Sequence, residues 1–154
     1  MENDSAQGLW KDFINANPEF ANEPEPGVGY FCDNEKDANA CTELVLKDIK
    51  RATSHSLLGL QYREEVMPKI GDFFVVTDFK GKAKCIVRTT SVKLLPYFSI
   101  HAEHARLEGE GNKSLEHWRS VHWDYYTREL EPFGRFPRES MIIVFERFEK
   151  VFER

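Results

Sequence analysis

Apolar residues fall at helical spacing in four stretches of this chain and in strand-like runs in four others. Over residues 5–16, Trp10, Phe13 and Ile14 recur at spacings of three and four, with Ser5 placed to cap the start and Pro18 to end the helix. A second helix is predicted over 35–49. Ala38, Cys41, Val45 and Ile49 form its apolar stripe, Lys36, Asp37, Glu43 and Lys47 face out, and Asp33 or Asn34 caps it. Leu57-Leu58-Gly59-Leu60 reads as a short strand. The run Phe73-Phe74-Val75-Val76-Thr77 is a strand rich in β-branched and aromatic residues. Residues 78–82, with Gly81, form a hairpin loop into a return strand over 84–92, and Pro96 stops the pattern.

Further on, Ser99 is placed to cap a helix over 100–107, which the run Glu108-Gly109-Glu110-Gly111-Asn112 breaks. Ser114 caps a longer helix over 115–129, whose apolar face carries Leu115, Trp118, Val121 and Tyr125. Residues 141–152 are rich in Ile, Val and Phe and form the closing strand. Too few strands alternate with helices for a doubly wound parallel sheet. The pattern predicts an α+β fold: a small mixed, mostly antiparallel β-barrel or curled sheet with surrounding helices. Residues 22–29, with two prolines and two glycines, are neither helix nor central strand. They read as a loop over the domain, so residues 1–34 form an N-terminal helix and wrapping loop of the same domain that residues 35–152 build.

Composition narrows the picture. The chain has 154 residues, enough for one domain with a sizeable core, and is 41% hydrophobic and 31% charged, as in an ordinary globular protein. No apolar run approaches the ~20 residues of a membrane helix. The acidic start Met1-Glu2-Asn3-Asp4 has no apolar signal region. Cys32, Cys41 and Cys85 are odd in number and widely spaced, giving neither a disulfide framework nor a zinc pattern, and they fit a reducing cytoplasm. The net charge of −5 argues against broad attraction to a polyanion, although Lys47, Lys50 and Arg51 cluster locally, as do Lys80, Lys82, Lys84, Arg88 and Lys93.

The candidate chemistry is sparse. Lys50 and Thr53 stand three apart after the second helix, where an ammonium can hold the charge that grows as a hydroxyl attacks a carbonyl. The plain alternative is a basic helix end followed by the start of a strand. The Glu108-Gly109 turn can project a carboxylate into a cleft as an acid or base. His101 and His104 stand three apart and His117 and His122 five apart, but no third ligand joins them, so no metal and no cofactor is assigned. Trp118, Trp123, Tyr125 and Tyr126 are either core residues or a stacking surface for a base.

Four blocks in order resemble the ASCH domain family, of the PUA-like superfamily. Lys50-Arg51-Ala52-Thr53 resembles its Gly-x-Lys-x-Ala-Thr signature, and Pro68-x-Ile70-Gly71-Asp72 resembles the next block. His104 to Gly111 with Ser114-Leu115, Trp118-Arg119 and His122 resembles the third, and Phe145-Glu146-Arg147-Phe148 the last strand. The resemblance implies a PUA-like barrel around a cleft and a role with RNA or a modified nucleoside. Some members are amidohydrolases that remove the acetyl group of acetylcytidine. Their catalytic lysine, threonine and glutamate fall by motif on Lys50, Thr53 and Glu108. Asp48 replaces the signature glycine. Asp tolerates a positive φ better than most residues, and its carboxylate is placed to pair with Lys50.

Two expectations follow. In the first, Thr53 attacks an acylated cytidine, Lys50 stabilises the alkoxide, and Glu108 protonates the leaving amine. In the alternative, the protein is a non-catalytic RNA- or nucleotide-binding module, or a ribonuclease, in which Lys50, Arg51 and Arg88 meet phosphate and Tyr62 or Trp123 stacks on a base. Both take a small nucleoside or RNA as partner and no membrane, and neither fixes an oligomeric state.

Overall fold

A computed structural model describes all 154 residues. The strongest apolar run, Phe73–Thr77 (β3), pairs antiparallel with Ala83–Pro96 (β4), which in turn pairs along almost its whole length with Ile142–Glu153 (β5). Ala52–Ser56 (β2) closes one edge against β5, and Gly27–Gly29 (β1) adds a short parallel edge against β3. The five-stranded sheet thus runs β1-β3-β4-β5-β2 and is antiparallel except at β1. Irregular register between Ile86 and Val87 and between Thr89 and Ser91 bends the long strand and curls the sheet into a half-barrel.

Both faces are covered. On one, Asp4–Ala16 (α1) sets Ala6, Leu9 and Phe13 against Phe73, Val75 and Ile86. On the other, Glu35–Leu46 (α2) brings Val45 to Val76, Cys85, Val87 and Phe148. A third core lies beside β5. There, Ala102–Glu108 (labelled α4) and Leu115–Leu130 (α5) bury Ala105, Trp118 and Tyr126 on Tyr97, Ile100 and Ile143.

The sequence pattern is corrected at several ends. Leu57–Tyr62 is a helix (α3) and not a strand, because Ser56 accepts a hydrogen bond from the Gly59 amide and caps it; the strand lies one step earlier, at Ala52–Ser56. The cap of α1 is Asn3, while Ser5 accepts from the Ala83 amide. Ser99 lies in a 3-10 turn, and α4 is capped by His101. The His101 and His104 rings each accept a backbone N–H of the other's turn, so their spacing of three serves a capping box. Finally, α2 stops at Leu46. Asp48 takes φ 59°, its amide reaches the Val45 carbonyl and the Ile49 amide reaches the Leu44 carbonyl, a Schellman ending.

Candidate functional site

That helix ending aims Lys50 inward. Its side chain is 1% exposed, and Nζ donates to the Ala52 carbonyl at 2.8 Å and to Glu110 Oε2 at 2.9 Å. Glu108 Oε1 is a third partner at 3.4 Å. Burial opposes the lysine's charge, but Glu110 and Glu108 override it and hold the ammonium well above its ordinary value. Asp48 is not the partner that the sequence suggested. Its left-handed backbone points the carboxylate to the surface, where it lies 3.7 Å from Lys150.

Glu108 ends α4 and is 1% exposed. Its Oε2 accepts from Ser54 Oγ at 2.6 Å and from the Trp118 indole N–H, and Oε1 lies 3.3 Å from His122 Nε2. Burial favours the protonated acid, yet His122, Lys50 and the Ser54 hydrogen bond pull Glu108 well below the usual carboxylate range. His122 stacks on Trp118 and bonds its carbonyl through Nδ1. Burial lowers its basicity, and the Glu108 carboxylate reverses this to a net rise. Gly109 makes the junction possible. At φ +71° it lies against the Ile49 carbonyl, and a Cβ there would stand 2.5 Å from that oxygen. Lys50 and Glu108, both almost fully buried, and the partly buried Glu110 and His122 together form a charge-balanced cluster when His122 is protonated.

Strand β2 separates this cluster from a larger opening. Side chains alternate along a strand. Ser54 turns to Glu108, while Thr53 and His55 line a cleft of about 1040 Å³ on the other face. Glu146, opposite Thr53, bonds His55 Nε2 at 2.9 Å and accepts from Thr89 Oγ1 at 2.6 Å. Tyr30, Phe31, Phe74 and Phe148 supply aromatic walls, and Arg88 adds a cation. The Arg88 guanidinium lies over the rings of Phe20 and Phe73, at 5.1 and 4.9 Å from their centroids.

The sequence profile of the ASCH domain matches residues 27–152. The chain belongs to the ASCH domain family. The fold agrees. A crystal structure of an ASCH domain from Lactobacillus crispatus JV V101 is 32% identical, with a TM-score of 0.89, covering 95% of this chain and 93% of that one. A protein from Enterococcus faecalis V583 is 27% identical, with a TM-score of 0.86, over 96% of this chain and 88% of that one. No curated protein matches the sequence. No helix of this ASCH domain is long and apolar enough to cross a membrane.

Of the residues singled out by sequence, Lys50 and Glu108 meet in the buried cluster, and Thr53 and Arg88 meet at the cleft. Thr53 takes part in none of the hydrogen bonds of Lys50 or Glu108. Arg51 has an exposed side chain, and its backbone ties α4 to β5 through Leu107 and Phe148. Tyr62 stacks on Phe133 at 4.9 Å, and its hydroxyl accepts from Arg135. Trp123 packs edge-on to Tyr97 and borders a separate hollow with Arg119 and Asp124. The sequence reading passed over Ser54, Glu110, His55 and Glu146 as site residues, and weighed Trp118 only as a stacking surface and His122 only as a metal ligand or part of the family block. The signal for Ser54 and His55 was the alternation on either side of Thr53. For His122 it was the helical spacing of four from Trp118. For Glu110 and Glu146, on different elements from their partners, no local signal existed. Two groups converge as metal ligands do: Glu108 with Glu110 and His122, and Cys32 with Cys41 and Glu110. The first is already engaged by Lys50, Ser54 and Trp118.

Proposed function

We propose that this ASCH domain binds a nucleoside or a single nucleotide in the cleft beside β2. The observation that carries this is the composition of the cleft. Aromatic rings of Phe31, Phe74 and Phe148 face a polar strip of Thr53, His55, Thr89 and Glu146, with Arg88 at the side, in a volume that suits a small organic ligand. The rings offer stacking to a base, the strip offers donors and acceptors to its edge, and Arg88 offers a partner to a phosphate. The net charge of −5 suits a small ligand better than a long polyanion. Lys50 and Glu108, both buried and mutually paired, support the wall from behind.

Calorimetric titration with cytidine, acetylcytidine and cytidine monophosphate at two salt concentrations tests this. Binding that weakens on Phe148→Ala is expected, with Arg88→Ala weakening the nucleotide more than the nucleoside. No heat with any of the three, in folded protein, overturns the reading.

A second reading is favoured by the Thr53 hydroxyl, which stands on the cleft wall. Here Thr53 attacks the amide carbonyl of an acylated cytidine, releasing the amine and then, by hydrolysis, the acid. Lys50 contributes its positive field through the strand that carries Thr53. Acetate release from acetylcytidine, abolished in Thr53→Ala with cytidine binding retained, is the expected result. Equal turnover in wild type and Thr53→Ala removes this reading and leaves the binding one standing.

A further inference from the structure

We infer that Cys32, Cys41 and Glu110 form a site for a thiophilic divalent cation, with zinc as the best fit. Cys32 follows the cleft residue Phe31, and Cys41 lies on the inner face of α2. Their sulfurs stand 3.4 Å apart, and Glu110 Oε1 is 3.3 Å from Cys41 Sγ and 4.0 Å from Cys32 Sγ. Tetrahedral zinc with Zn–S near 2.3 Å and Zn–O near 2.0–2.2 Å sets S···S at roughly 3.8 Å and S···O at roughly 3.5 Å. The triangle found is within about half an ångström of that on every side. Two further features fit a ligand set. Cys32 holds φ 70°, an uncommon conformation for a side-chain-bearing residue, and this backbone turn places its sulfur beside Cys41. The second carboxylate oxygen of Glu110 is fixed by Lys50 at 2.9 Å, leaving Oε1 for the metal, as an outer partner commonly orients a carboxylate ligand.

The charges close as well. The Lys50, His122, Glu108 and Glu110 cluster is neutral when His122 is protonated. A divalent cation that displaces the two thiol protons adds two positive and two negative charges, so the buried region stays neutral. Two protons leave for each cation bound. Three protein ligands leave a fourth position for water or a ligand atom, the arrangement of zinc sites that are not purely structural. The Lys50 ammonium that fixes Glu110 also lies 5.3 Å from the ring of Phe31, the residue next to Cys32. This inference stands apart from the cleft reading and does not depend on it.

Cobalt(II) titration of the fully reduced, full-length protein tests it. One equivalent is expected to give thiolate charge-transfer absorption and tetrahedral ligand-field bands, with zinc displacing cobalt and releasing the colour. Cys32→Ser, at a half-exposed loop position, is expected to lose the thiolate bands while keeping its circular dichroism. Cys85→Ala, whose buried thiol is not among the converging ligand atoms, is expected to keep them. Zinc is expected to raise the melting temperature of wild type and not of Cys32→Ser. Reduced, folded wild type without thiolate absorption overturns the proposal. So does cobalt uptake unchanged in Cys32→Ser, or a Cys32–Cys41 disulfide as the pair's only chemistry, with no metal taken up after reduction.

Discussion

Lys50 is the residue on which the interior depends. It neutralises the buried Glu108 and the partly buried Glu110, and removing one partner of such a group leaves the others uncompensated. Lys50→Met is therefore expected to lower the unfolding free energy by about 3–5 kcal/mol in urea denaturation, as for other broken buried ion pairs. His122 makes the same region sensitive to pH. Its folded-state value is raised above the ordinary one by Glu108, so the stability it contributes is full below its unfolded value of about 6.5. That contribution is lost as pH rises through the folded value. Urea midpoints are expected to fall between pH 6 and pH 9 by more in wild type than in His122→Gln; parallel profiles would remove His122 from this role. The family resemblance grouped Lys50 with Glu108, but the burial of the pair and its partners Glu110 and His122 were not visible along the chain. Sequence spacing shows which residues share a helix face, but Lys50, Glu108 and Glu110 come together through a turn whose packing depends on Gly109 and Ile49, far apart in sequence.

At the scale of elements, the helix and strand periods were largely legible. The stripe in α2, the run in β3, the long return strand and the Ser114 cap all appear as the pattern indicates. The misplaced pieces are those where one polar contact outweighs propensity. Ser56 captures the Gly59 amide and turns a Leu-rich run into a helix. Asp48 ends α2 early by accepting a left-handed conformation. That conformation costs a side-chain-bearing residue about 1 kcal/mol relative to glycine. Asp48→Gly is accordingly expected to raise the unfolding free energy by about 1 kcal/mol, since the exposed pair with Lys150 contributes little. An unchanged or lower value would mean that the left-handed turn carries no strain. Gly109→Ala meets a closer obstacle. Its Cβ would press on the Ile49 carbonyl at an unfavourable φ, and a loss of about 2–3 kcal/mol is expected from strain of this kind.

At the scale of the molecule, the curled sheet holds two different environments against one edge strand. The α+β class and the half-barrel followed from the order of elements. The parallel edge at β1 did not, because three residues between a proline-rich turn and an aromatic pair carry no period. The N-terminal helix covers Phe73, Val75 and Ile86 and supplies Leu9 and Phe13, both almost fully buried. Deleting residues 1–21 is expected to broaden the unfolding transition and raise binding of a hydrophobic dye, because several large apolar side chains lose their cover. A sharp, wild-type transition in the truncated chain would show that the sheet is self-sufficient.

The two faces of β2 also bear on how such a protein can diversify. Thr53 and His55 look into the opening, while on the other side Ser54 holds Glu108, Ala52 packs on Leu107 and Phe145, and Ser56 caps the following helix. If the opening binds a ligand as proposed above, exchanging Thr53 or His55 alters what it recognises while the neighbouring positions continue to hold the interior. Selection can thus revise ligand preference one side chain at a time, with the folding of the domain left to residues that the ligand never meets.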